Sequence, residues 1–280
     1  MNKPLSSEEI KNHWTNWAHV YKDDLKATTK TPTIKMLEVD ALGRAIESIN
    51  FSNESDVQVL EVGCGNGFNC FPLAQKFSTY TFTGVDYIEE MVANAKASQA
   101  ANASSKNLTF YQGNILELEK HSGLDLTYDV IFTDRCLINL NTPELQEAAL
   151  DQLWKKLKPT GHLILIENIQ HTHSQQNDLR ESLGLGRRIP DSFNLFIDEA
   201  RLLDYAASKL ELLKQEDFAC LHDVVLYVLV PALNEGRVDY DHPMVSKVTE
   251  MLLANPELAQ SFNNYGQNRL YLFRNKNKKT

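Results

Sequence analysis

The sequence predicts an α/β domain, doubly wound around a mostly parallel, seven-stranded sheet. Three observations predict it. Short apolar runs such as Val130-Ile131-Phe132 and Leu163-Ile164-Leu165-Ile166 alternate with segments of helical period from residue 57 onward. Strands apolar on both faces belong to a sheet covered on both sides. A glycine-rich turn, Gly63-Cys64-Gly65-Asn66-Gly67, directly follows the first run. The third observation is a well-marked helix over 142–158, with Thr142 as cap, Pro143 in its first turn, Lys155, Lys156 and Lys158 near its end, and Pro159 with Gly161 closing it.

Taken in order, Ser6 with Glu9 three residues on has the pattern of a capping box and starts a first helix. Thr31 and Pro32 start a second, whose Ile34, Leu37, Leu42, Ala45 and Ile49 recur on one face. The polar segment 21–30 between them reads as a loop or lid. Strands are expected at 57–62, 81–86, 107–111, 128–133 and 161–167, and helices at 67–77 and 88–101. After residue 168 the rhythm breaks into a polar loop (170–190), a helix (196–209), a strand (210–218), a largely helical piece (222–264) and a last strand (269–273). This divides the chain into an N-terminal helical lid or cap (1–50), a core (51–220 and 265–280) and a helical insertion (221–264) over the substrate side.

The 280 residues, 42% hydrophobic and 23% charged, suffice for a substantial core. The formal charge of −9 disfavours a nucleic-acid partner, and the one dense basic run, 275–279, reads as a solvated tail. No apolar segment marks the N-terminus, and the longest apolar run, Val224 to Leu233, is too short for a membrane span and is broken by Pro231. A soluble, cytoplasmic protein is therefore expected. Cys64, Cys70, Cys136 and Cys220 lack C-x-x-C spacing, so neither a zinc knuckle nor a disulfide framework is expected, and no metal.

A glycine turn after a strand can hold NAD, a nucleotide phosphate or S-adenosylmethionine. The dinucleotide fingerprint needs a third glycine where this chain has Phe68, and a phosphate loop needs Gly-Lys-Ser/Thr where it has Gly67-Phe68-Asn69. What remains is Glu61-x-Gly63-x-Gly65-x-Gly67, with Asp86 at the end of the next strand, at a separation suited to gripping ribose hydroxyls. This series resembles the signature of class I S-adenosylmethionine-dependent methyltransferases. Three further stretches are similar to that family in order: Gln112-Gly113-Asn114-Ile115-Leu116, with Asn114 where the family usually has an acidic residue; Tyr128 to Arg135; and Leu157-Lys158-Pro159-Thr160-Gly161, with Thr160 replacing a glycine. The resemblance implies a Rossmann-like sheet and S-adenosylmethionine as cofactor. It also implies cofactor contacts from Glu61, Gly63, Cys64, Gly65, Gly67, Asp86, Tyr87, Asn114, Ile115, Thr133 and Arg135. Thr28 and Thr29 are candidates for the cofactor carboxylate; Tyr21, Trp14 and Trp17 would either cover it or pack in the core.

Methyl transfer from a sulfonium is an in-line displacement that asks for alignment and, with a neutral acceptor, for a base. Asp134, His171 and His222 are the candidate catalytic groups, with His173 beside them. Asp134 could equally be ion-paired to Arg135 or an N-terminal lysine, and the histidines could be solvated. Glu167, Arg180 and Arg188 are candidate acceptor contacts, the arginines suiting a phosphate. Ala27-Thr28-Thr29-Lys30, Asp134 to Leu140, Gly184-Leu185-Gly186 and Phe193-Asn194 also resemble a bacterial subgroup linked to surface-polysaccharide biosynthesis. The expectation is methylation of a small-molecule or glycan acceptor, phosphorylated or not, at oxygen; a homodimer is compatible. The alternatives are another small metabolite methylated at nitrogen or oxygen, a non-catalytic S-adenosylmethionine-binding module, and an NAD-dependent oxidoreductase.

Overall fold

The computed structural model describes residues 5–101, 106–124, 126–262 and 265–276; the end of the basic tail lies outside them. Seven strands form one sheet: β1 (Gln58–Val62), β2 (Thr81–Asp86), β3 (Leu108–Gln112), β4 (Tyr128–Asp134), β5 (Leu157–Asn168), β6 (Leu210–Glu216) and β7 (Asn268–Asn275). Their order is β3-β2-β1-β4-β5-β7-β6, with β7 antiparallel to both neighbours and β1 to β5 parallel. Chain direction across the sheet reverses between β1 and β4, so the ends of these two strands open a crevice, the position where such folds bind ligands.

The helices are α1 (Ser7–Tyr21), α2 (Pro32–Glu47), α3 (Cys70–Lys76), α4 (Glu89–Ala101), α5 (Pro143–Lys156), α6 (Gln170–Ser182), α7 (Glu199–Ala207), α8 (Cys220–Val224), α9 (Val230–Leu233) and α10 (Pro243–Ala254). The Ser6–Glu9 box closes α1, with Ser6 N donating to Glu9 Oε2 at 2.8 Å and Glu9 N to Ser6 Oγ at 3.3 Å. One sheet face buries Val59, Phe82, Phe132 and Ile164 against Leu42 and Ile46 of α2. The other buries Leu60, Ile131 and Leu163 against Leu150 and Leu153 of α5. Each such side chain contributes about 1.5–3 kcal/mol of hydrophobic stabilisation. The apolar face of α2 thus lies in the main core, against the sheet.

Two expectations change. The turn after β1 runs on to Asn69, and α3 starts only at Cys70. The segment expected as a polar loop contains α6, whose buried face is itself polar: Thr172, His173, Gln176, Asn177 and Arg180. Hydrogen bonds replace apolar burial there: Gln176 Nε2 donates to the Tyr265 carbonyl at 2.8 Å and Asn177 Nδ2 to that of Arg188 at 3.0 Å. Between α8 and α9 the helix widens into a π-turn over Val225–Leu229, a local irregularity often found at functional sites.

Candidate active site

A cavity of about 560 Å³ opens over the ends of β1, β2, β4 and β5 and is covered by α1 and the 28–31 segment. Gly63, Gly65 and Gly67 take φ of +80°, +53° and +86°, the left-handed region that disfavours any side chain. A Cβ on Gly65 would stand 2.7 Å from the Thr28 methyl, and one on Gly63 would stand 2.5 Å from Cys136 Sγ. The turn is pinned to the next strand because Gly65 N donates to Asp86 Oδ2 at 2.7 Å, while Ile88 N donates to Oδ1 at 2.8 Å. Burial raises the Asp86 carboxyl, and these backbone donors oppose that rise. Gly63, Cys64, Gly65, Asp86, Tyr87, Asn114, Ile115, Arg135, Thr28 and Thr29 all face the cavity.

Other expected cofactor residues stand behind that wall. Glu61 is buried, accepting from Asn69 Nδ2 and Cys70 Sγ, each at 2.8 Å. Gly67 packs on Phe110, Thr133 donates to Glu167 at 2.9 Å, and Tyr21 packs with Ala18, Ala27 and Met91. None of the four lines the cavity.

Asp134 reaches the cavity but is held in a buried charge quartet. Lys35 Nζ bonds its Oδ2 and lies 2.7 Å from Glu38 Oε2, and Arg135 Nε lies 2.9 Å from Glu38 Oε1. Burial alone would raise the Asp134 carboxyl, but Lys35 and Arg135 outweigh it and hold it below the usual range. A carboxylate so stabilised is a poor proton acceptor, which corrects its assignment as base. His171 is exposed on α6, 3.6 Å from Glu199, and away from the cavity. His222 is buried between Thr33 Oγ1 and Asp223 Oδ1, both at 2.9 Å, again outside the cavity wall.

Glu167 is likewise not an acceptor contact. It accepts from the backbone N–H groups of Cys136, Leu137 and Ile138 at 3.1, 3.0 and 3.3 Å, fixing the turn after β4. Within that turn Arg135 adopts φ of +54°, strained for a non-glycine residue, and its carbonyl accepts from Asn139 Nδ2 at 2.9 Å. Arg180 is buried, donating to the carbonyls of Gly186 (2.9 Å) and Tyr227. Arg188 alone of these three candidates lines the cavity. None of the four cysteines forms a disulfide, and no group of three metal-binding side chains assembles, among the described residues. Nor, among those residues, is any helix long and apolar enough to cross a membrane.

The family model for methyltransferase domains matches residues 53–214, more than half of the chain. The chain belongs to that family. Over 118 residues this methyltransferase domain is 36% identical to the trans-aconitate 2-methyltransferase of Deinococcus radiodurans, covering 42% of this chain and 40% of that one. Over 148 residues it is 28% identical to a malonyl-[acyl-carrier protein] O-methyltransferase of Bacillus anthracis, covering 49% and 51%. The chain thus spans about half the length of the curated relatives it matches. Among solved structures, magnesium protoporphyrin IX methyltransferase from Synechocystis with bound S-adenosylmethionine shares the fold at a TM-score of 0.55 and 16% identity, covering 98% of this chain and 99% of that one.

Several features of the methyltransferase domain's site had no local signal in sequence. Lys35 and Glu38 come from α2, and Asn168, Gln267 and Asn268 from the junctions of β5 and β7. Trp14 and Trp17, expected as cover or core, both line the cavity; His13 stacks on Trp17 and on Phe193, with ring centroids 4.7 and 4.2 Å away.

Buried Glu61 gives the domain a pH dependence. Burial pushes its carboxyl from 4.5 up to about 7, so the folded chain keeps a proton that the unfolded chain has lost over this window. Stability therefore falls as pH rises from about 4.5 to 7, by about 3 kcal/mol at about 1.4 kcal/mol per pH unit. Glu61→Gln should remove its share of that fall, while Glu167, which burial also pushes up to about 7, keeps its own. Urea midpoints of both proteins across this range check it; parallel curves would remove Glu61 as the cause.

Proposed function

We propose that the chain transfers a methyl group from S-adenosylmethionine to a small polar acceptor. The observation that carries this is the shared cavity wall of the Gly63–Gly65 turn and Asp86, bare main chain beside a rigidly held carboxylate. The residues fit the cofactor. Side chains are excluded where backbone must approach its amino-acid part, and Asp86, with free lone pairs beyond its two backbone bonds, suits the two ribose hydroxyls. Asn114 accepts from Leu116 N at 3.0 Å, which fixes its amide at the cavity for the adenine edge. Bound there, S-adenosylmethionine supplies an electrophilic methyl group for in-line displacement by the acceptor.

The finer reading is a carbohydrate-like acceptor methylated at oxygen. Asn194 and Gln267 line the cavity with amides, groups that both donate and accept hydrogen bonds, as hydroxyl-rich molecules require. The resemblance of the 27–30 and 134–140 stretches to the surface-polysaccharide subgroup supports the same direction. His13 replaces the excluded bases: it lines the cavity, stacked on Trp17 and Phe193, and its imidazole can take a hydroxyl proton.

Asp86→Ala should weaken S-adenosylhomocysteine binding by about 1.5–3 kcal/mol, the scale of hydrogen bonds to a charged group. Calorimetry measures this, and unchanged affinity would remove Asp86 from the ribose. Incubating the protein with methyl-labelled S-adenosylmethionine and a small-molecule extract tests turnover; label bound but never transferred would identify a sensing module instead.

A further inference from the structure

Arg188 is held in an unusual way for a cavity-lining cation. Its guanidinium carbon lies 3.4 Å from the Tyr227 ring centroid, and Nη1 donates to Gln176 Oε1 at 2.9 Å and Gln267 Oε1 at 3.2 Å. Its backbone N donates to Asn177 Oδ1 at 2.8 Å, and its carbonyl accepts from the same amide group at 3.0 Å. The π-turn presents Tyr227 to it, and Arg180 holds the Tyr227 carbonyl. Neutral amides and an aromatic face thus fix the position of a positive charge without neutralising it.

Apart from Lys11, which lies over the Tyr87 ring beside Asp86, 4.7 Å from its centroid, the other charged groups of the cavity are satisfied differently. Lys35 and Arg135 pair with Glu38 and Asp134, and Lys30 lies 3.5 Å from Asp191. Asp223 shares the corner with Arg188, but Oδ2 accepts from Gln267 N at 2.7 Å and Oδ1 meets His222 Nδ1 at 2.9 Å. Among the described residues no ion pair includes Arg188. A half-buried cation locked in one orientation, with edge N–H groups left over, is suited to a planar or tetrahedral oxyanion that brings its own charge.

The corner's place in the sheet separates it from the donor. Asp86 and Asn114 stand over β2 and β3 and the glycine turn over β1, whereas Arg188 is braced by Gln267, next to the first residue of β7. We propose that Arg188 is the anchor for an anionic group of the methyl acceptor, a carboxylate or phosphate held at the β5–β7 end of the cavity. The anchor orients the acceptor's reacting atom toward the donor end, turning remote binding into alignment. The inference rests on the methyltransferase reading of the same cavity.

The test uses the full chain saturated with S-adenosylhomocysteine and follows the Arg188 Nε resonance, identified by its loss in Arg188→Lys. Acetate, inorganic phosphate and neutral acetamide are titrated separately. A saturable shift with acetate identifies a carboxylate anchor and one with phosphate a phosphate anchor, with acetamide about tenfold weaker or worse. Arg188→Gln, followed through the backbone amide resonances of neighbouring residues such as Gln267, should lose anion binding by a similar factor while keeping its S-adenosylhomocysteine affinity. Equal binding of acetamide, or anion binding unaltered in Arg188→Gln, would overturn the anchor and leave the cofactor reading intact; failure of S-adenosylhomocysteine to bind would instead strike that reading.

Discussion

Gly65→Val should abolish S-adenosylhomocysteine binding, with an affinity loss beyond about a hundredfold, or about 3 kcal/mol. Two effects combine. At φ of +53° a β-branched residue is strained, at a cost of about 1–2 kcal/mol, and its Cβ would meet the Thr28 methyl at 2.7 Å. The turn must shift, which breaks the 2.7 Å bond from Gly65 N to Asp86 and misplaces both parts of the cradle together. Gly186→Val is the matched control, because a Cβ there meets nothing within 4 Å and the backbone needs no positive φ. Calorimetry on both variants, with circular dichroism to verify folding, checks this. Retained binding in a folded Gly65→Val protein would refute the placement of the turn against the ligand.

Lys35→Met should destabilise the fold by about 3–5 kcal/mol, the cost of leaving a buried charge without its partner. Lys35 Nζ bridges Glu38 and Asp134, and all three side chains are 5% exposed or less. Without it, Arg135 alone faces two buried carboxylates. Adding Asp134→Asn to Lys35→Met should recover part of the loss by restoring charge balance. Urea unfolding of wild type, single and double variants measures both steps. A single-variant loss below about 1 kcal/mol would mean that the quartet is no more than a surface-like ion pair.

These two residues also mark how far the sequence reveals the fold and the site. Gly65 is legible because its constraint is local: the backbone conformation of the turn admits glycine, and the spacing to Asp86 follows from one intervening strand and helix. The sheet is legible for a related reason, since strands covered on both faces must be continuously apolar. Lys35 carries no such mark. Its partner Asp134 is 99 positions away, and Glu38 takes a hydrogen bond from Asn268 across 230. Only the folded chain brings them together.

The α6 helix escapes detection because hydrophobic period is the usual signal of a helix, and the face it buries is made of Thr172, His173, Gln176, Asn177 and Arg180. Glu167 and His222 misled for the opposite reason. Polar residues near strand ends invite a chemical role, yet Glu167 is engaged by the backbone of the turn after β4, and His222 by Thr33 and Asp223.

The measurement that bears most directly on the whole account is a calorimetric titration of the wild-type chain with S-adenosylhomocysteine, with NAD as comparison. Saturable one-site binding of S-adenosylhomocysteine and none of NAD is the expected result. Binding of NAD, or no heat from either ligand in the folded protein, would contradict it.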